Sequence, residues 1–133
     1  MVERLNGMIP EVHPQDYSQY NPLVEIRKRR LAQKEELALR KKRALRIARR
    51  AAGILREKFG ARSVVLYGSL AKKSDFTLWS DIDLAASGIA PQRFYSAVAA
   101  VTGMSSEFKI DLVDSDSCRT SLKSAIDKEG ITL

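Results

Sequence analysis

The sequence predicts an α+β domain: a small mixed β-sheet with flanking helices, preceded by a long basic N-terminal helix. Three observations carry this expectation. From Leu23 to about Lys58 there is no proline and a single glycine, Gly53, among residues dominated by Ala, Leu, Glu, Lys and Arg, all good helix formers. After Gly60 the character changes to short apolar runs bounded by turn residues. Between and after those runs lie two stretches with helical spacing of apolar side chains.

Element by element, residues 1–22 hold three of the four prolines, Pro10, Pro14 and Pro22, and predict an irregular lead-in whose one histidine, His13, is a surface residue with no catalytic partner nearby in sequence. The helix that follows, with at most one break, carries Leu45, Ala48, Ala52, Leu55 and Phe59 at steps of three and four, a face suited to a core. Its first half lacks such a face. The runs Arg27-Lys28-Arg29-Arg30 and Arg40-Lys41-Lys42-Arg43 interrupt it, so that half is expected to project or to meet a partner. Gly60 is a suitable helix stop. Ser63-Val64-Val65-Leu66-Tyr67 reads as a buried strand and Asp81 to Ala86 as a second. Ala90 to Thr102 is helical, with Pro91 in the first turn and Phe94, Val98 and Val101 on one side. Phe108 to Val113 is a third strand, and Asp116 to Lys128 a closing helix with Leu122, Ala125 and Ile126 inward. The expected organisation is an irregular segment and basic arm over 1–44 and a folded domain over 45–133.

Composition narrows the function classes. With 44% hydrophobic and 29% charged residues the chain is globular in composition rather than disordered. The single cysteine, Cys118, excludes an internal disulfide, and no Cys/His spacing suits zinc. No run approaches the roughly 18 apolar residues of a membrane span, and the N-terminus lacks the apolar core of a secretory signal, so a cytoplasmic protein is expected. The net charge of +7 is lopsided: residues 1–60 hold 15 Lys+Arg against 7 Asp+Glu, residues 61–133 hold 8 against 9. Such an arm suits nucleic acid, an acidic protein or a phosphate-rich ligand, or is simply a solvated helix face.

The chemistry is concentrated at strand edges. Gly68-Ser69 directly follows the first strand; glycine lets backbone approach a ligand, and free N–H groups at a helix start suit phosphate oxygens. Alone, a Gly-Ser turn is weak evidence. In Ser80-Asp81-Ile82-Asp83-Leu84, strand alternation throws both carboxylates to one side. Two like charges there become favourable with a divalent cation between them, and hard oxygen ligands suit Mg²⁺. Asp111, inside the apolar Lys109-Ile110-Asp111-Leu112-Val113, is a third candidate. If its strand lies beside the second, three carboxylates converge as metal-assisted phosphoryl or nucleotidyl transfer requires. The plainer alternative is that Asp81 and Asp83 cap a strand end and Asp111 pairs with a Lys or Arg. Phe76 and Trp79, in the intervening loop, either stack on a base or anchor the loop on the core, the second being favoured. Cys118 is expected to pack or cap rather than react.

The stretch Tyr67-Gly68-Ser69-Leu70-Ala71 through Phe76-Thr77-Leu78-Trp79-Ser80-Asp81-Ile82-Asp83-Leu84, with the later Asp111, resembles the minimal nucleotidyltransferase domain of the DNA polymerase β-like nucleotidyltransferase superfamily, in particular the antitoxin-like members of HEPN/MNT modules. The likeness covers roughly residues 45–133. It implies the polymerase β-like nucleotidyltransferase fold, with Gly68 and Ser69 on a nucleoside triphosphate, and Asp81, Asp83 and Asp111 as catalytic and Mg²⁺-binding residues; Lys72 can meet the phosphates as a point charge. It further implies transfer of a nucleoside monophosphate, AMP from ATP, to a hydroxyl on a helical HEPN-type toxin. Many such domains carry Arg-Gly after the alanine where this chain has Lys72-Lys73-Ser74, and its serine-to-aspartate gap is one residue longer; nucleotide choice and rate are what these departures touch. Transfer to a small molecule or an RNA 3′ end usually calls for further domains to hold the acceptor. The reading from another class is a non-catalytic binding module that neutralises a protein partner or binds nucleic acid through its basic helix.

Overall fold

The computed structural model describes residues 21–133, and the chain forms two compact units, Met1–Glu35 and Glu36–Leu133. The expected lead-in, His13 included, lies outside the described residues except for Asn21 and Pro22. These two open helix α1, Pro22–Phe59: the Asn21 Oδ1 accepts the Leu23 N–H, and Pro22 needs no acceptor in the first turn. In the first unit, residues 21–35 are exposed throughout, and Glu25 pairs with Lys28 one turn on.

The second unit holds the core. There α1 runs through Gly53 without a break and buries Ala44, Ala48, Ala51, Ala52 and Leu55. The buried face is thus turned toward the small residues, with Leu45 and Phe59 only partly buried beside it. The compact unit that holds this core spans Glu36–Leu133. The run Arg40-Lys41-Lys42-Arg43, expected to project or meet a partner, is partly tied down: Arg43 donates two hydrogen bonds to Glu107 Oε1, at 3.0 and 2.7 Å, and Arg40 lies 4.3 Å from the Phe108 ring centroid. Sequence periodicity does not show this, because Glu107 lies 64 residues from Arg43.

After α1 come strand β1 (Ser63–Tyr67), a 3₁₀ turn (Ser69–Ala71), β2 (Ile82–Ser87), helix α2 (Pro91–Thr102), β3 (Ile110–Asp114), helix α3 (Thr120–Glu129) and a two-residue β4 (Ile131–Thr132). The sheet order is β3-β2-β1-β4. β1 is antiparallel to β2 and β4, whereas β2 and β3 are parallel, joined by the α2 crossover. Val64, Leu66, Ile82, Leu84, Ile110 and Leu112 alternate onto the core side and join the α1 alanines with Ala97 and Val101 of α2. The opposite side carries Val65, Tyr67, Asp83, Ala85, Asp111 and Val113, and Gly130, just after α3, lies against Val65. The expected mixed sheet with flanking helices is therefore present.

Two boundaries differ from expectation for local reasons. The closing helix starts at Thr120, not Asp116, because Asp116 accepts the Gly88 N–H and Ser115 donates to the Ala86 carbonyl, bonds that compete with helix formation. Of the three residues expected to face inward, Ile126 is buried and Leu122 and Ala125 are half-buried. The third strand starts at Ile110, since the Glu107 and Phe108 N–H groups are turned onto the Ser105 hydroxyl. Among the described residues no helix is long and apolar enough to cross a membrane.

Candidate active site

The sheet edge where β1 ends is the edge where β2 and β3 begin. Tyr67 is paired with Asp83 across the antiparallel ladder, and Asp83 with Asp111 across the parallel one. Neighbouring strands lie about 4.8 Å apart, so three consecutive strands bring Tyr67, Asp83 and Asp111 side by side on the face opposite the core. Asp81 immediately precedes β2, two residues from Asp83 and of the same parity. The sequence condition that the third strand lie beside the second is met.

Gly68 ends β1 with φ 73 and leads into the 3₁₀ turn, pinned by buried Leu70. A Cβ at this position would run into the Asp83 carboxylate. Glycine is needed twice over, for the left-handed backbone and for the close approach. Within the turn the Ala71 N–H goes to the Gly68 carbonyl and the Lys72 N–H to that of Ser69. The first N–H groups of such a turn have no partner inside it.

The electrostatics follow from this crowding. Half-burial pushes the Asp83 carboxyl above its ordinary range, Asp111 and then Asp81 push it further, and Lys109 partly offsets them. Tyr67 is pushed up to about 12, chiefly by burial and then by Asp83 and Asp111, so its phenol is a neutral O–H donor at physiological pH. Tyr67 shares the parity of Val65 in β1, and that alternation is the sequence signal that places it on the side of the acids.

The side chains do not all converge. Lys109 Nζ stands 3.7 Å from Asp111 Oδ1, and among the described residues no three His, Cys, Asp or Glu side chains are gathered tightly enough to hold a metal ion as placed. Lys72 pairs with Glu129 at 3.2 Å and Asp75 at 3.7 Å. The two loop aromatics part company: Phe76 is 4% exposed under Arg40 and anchors the loop, whereas Trp79 is 88% exposed. The turn bearing Trp79 is held by Thr77 and Ser80, whose hydroxyls accept the N–H groups of Trp79 and Thr77 respectively. Cys118 lies in the turn before α3, its thiol directed at the Ser115 carbonyl.

No family model matches the chain, and no curated protein matches it in sequence. Among solved structures it is similar to the crystal structure of a mutant of the toxin-antitoxin MntA-HpeT, with a TM-score of 0.52 and 18% identity over 64% of this chain and 70% of that one. It is also similar to the crystal structure of the toxin-antitoxin MntA-HepT, with a TM-score of 0.49 and 19% identity over 65% of this chain and 68% of that one. The first likeness establishes the fold: the chain has the MntA nucleotidyltransferase-type architecture. At such identity it bears on architecture alone.

Proposed function

We propose that the chain is a Mg²⁺-dependent nucleotidyltransferase of the antitoxin kind, moving AMP from ATP to a hydroxyl on a partner toxin protein of HEPN type. The observation that carries this reading is the register of Asp83 with Asp111 on adjacent parallel strands, with the Gly68 backbone drawn against the Asp83 carboxylate. The solved neighbour of the same fold belongs to a toxin-antitoxin pair, which supports the choice of a protein acceptor.

The donor set fits Mg²⁺ in kind and charge. Asp81, Asp83 and Asp111 supply hard oxygens, and the mutual repulsion felt by Asp83 is relieved by a divalent cation. Asp111 is partly exposed and held only by an exposed lysine, so it is free to turn toward the other two. When bound, Mg²⁺ supplies charge neutralisation for the triphosphate and the departing pyrophosphate. The N–H groups at the start of the turn after Gly68, unpaired within it, and the Ser69 hydroxyl hold phosphate oxygens. Lys72 reaches the same phosphates by exchanging Glu129 and Asp75 for them, acting as a point charge. The acceptor oxygen attacks the α-phosphorus, the bond from that phosphorus to the bridging oxygen breaks, and pyrophosphate leaves with the electron pair. The hydroxyl proton passes to the Asp111 carboxylate.

The test is intact-mass analysis of the chain with its co-purified partner after incubation with ATP and Mg²⁺. A partner heavier by one or more AMP units supports the reading, and Asp81→Asn with Asp83→Asn is expected to abolish the gain together with protection from the partner. The rival reading is favoured by the Lys109–Asp111 pair: a module that neutralises by binding alone. It predicts unchanged mass and full protection by the double variant.

A further inference from the structure

Between Leu37 and Arg56, α1 carries Arg40, Lys41, Lys42, Arg43, Arg46, Arg49 and Arg50 and no acidic residue. The structure sorts these cations into two groups. Arg40 and Arg43 are committed to Glu107, and Lys41 Nζ donates to the Lys72 carbonyl at 3.4 Å. Lys42, Arg46, Arg49 and Arg50 are exposed, and none forms an ion pair among the described residues. Lys42, Arg46 and Arg49 line a groove of about 270 Å³ with half-buried Leu45 between them.

Helical geometry makes this second group one surface. At 3.6 residues per turn, the four positions fall within an arc of about 100°, and at 1.5 Å per residue they extend over about 12 Å. Like charges at spacings of three and four destabilise a helix unless something anionic meets them. A nucleic-acid strand in a duplex presents a phosphate about every 3.4 Å along the axis, so the stripe matches three to four consecutive phosphates. Three of the four cations are arginines, whose planar fork grips a phosphate by two bonds. An acidic protein is the poorer match, because the buried centre of a protein interface is depleted in charge and rich in aromatic side chains. The groove offers a single apolar side chain, half-buried Leu45, with exposed Leu39 one turn away, and no aromatic.

We infer that the outer face of α1 formed by Lys42, Arg46, Arg49 and Arg50 binds the phosphodiester backbone of nucleic acid, without base readout. The surface lies within the folded unit and is distinct from the run Arg27-Lys28-Arg29-Arg30 in the first unit. It does not depend on the transfer chemistry.

The experiment is fluorescence anisotropy of the full chain with a fluorescein-labelled 20-nucleotide RNA, single-stranded and as a duplex, over a series of KCl concentrations. Four contacts give a slope of log affinity against log salt near −3 for the single strand, from about 0.7 per phosphate. Arg46→Ala with Arg49→Ala is expected to flatten that slope by about 1.4 and to weaken binding tenfold or more. The matched Arg46→Lys with Arg49→Lys keeps the slope, which separates charge from any effect on folding. A slope unchanged by the alanine pair overturns the inference, as does loss of binding on Arg27→Ala with Arg29→Ala but not on the 46/49 pair. Equal affinity for polyglutamate at the same salt also overturns it, in favour of an acidic protein.

Discussion

Asp83 sits where three influences meet: half-burial on the sheet face opposite the core, the repulsion of Asp111 and Asp81, and the Gly68 backbone against its carboxylate. Its carboxyl is raised in the folded chain, so its contribution to stability is fully present below the ordinary carboxylate value and is lost as pH rises through the raised one. Asp83→Asn is therefore expected to melt a few degrees higher than the parent at neutral pH without metal, with the difference shrinking at acidic pH; thermal melts across pH by circular dichroism read it. A parent as stable as the variant at neutral pH defeats this account of the carboxylate. Gly68→Ala meets both the left-handed φ and the Asp83 carboxylate, and is expected to cost about 1–3 kcal/mol in denaturant melts and to remove transfer activity. At this scale the sequence was informative: Asp81 and Asp83 share a parity, and Gly68 directly follows β1, because both are properties of spacing alone. It offered a Lys or Arg partner for Asp111, a place Lys109 takes from two residues away, but was silent on Glu129 next to Lys72, since that pairing depends on which distant segments come together.

Among the elements, α1 shows best how sequence and packing divide the work. Its alanines Ala44, Ala48, Ala51 and Ala52 are fully or almost fully buried, so the helix seats its narrow side in the core. Ala48→Leu is expected to overpack that contact and cost about 1–3 kcal/mol, measured by urea unfolding. Arg40 lies over Phe108 and within 6.0 Å of the Phe76 centroid, one ring from the loop that leads to Asp81 and one from the segment that leads to Asp111. Arg40→Ala is expected to cost about 1–2 kcal/mol through lost stacking and stem packing, with faster hydrogen exchange in both segments. An unchanged exchange rate there would remove Arg40 as their common support. The stripe read from periodicity contains Ala48, Ala52 and Leu55 of the buried face, but takes in the partly buried Leu45 and Phe59 and leaves out Ala44 and Ala51. The two-residue β4 is too short to leave a periodic signal and exists through its pairing with Val65 and Leu66.

For the molecule as a whole, the strand order β3-β2-β1-β4 is what assembles the candidate site, and it was legible only as a condition. Parallel pairing of β2 with β3 follows from the α2 crossover, but which edge β3 joins is decided by global packing. Because one carboxylate comes from β3 and two from the region of β2, a ligand held by all three would link the two strands. Mg²⁺ with ATP at 100 times its dissociation constant is expected to stabilise the parent by about 2.7 kcal/mol, and the Asp81→Asn, Asp83→Asn variant far less, as thermal melts would show. Equal stabilisation of both would locate nucleotide binding elsewhere. The one tryptophan of the chain, Trp79, already stands in water in the native fold. Its emission therefore starts solvent-like and changes little when the domain unfolds, making intrinsic fluorescence a poor gauge of melting. Anything that settles over the Thr77–Ser80 turn shields the indole and shifts its spectrum, so the same chromophore becomes a sensitive optical reporter of occupancy beside Asp81.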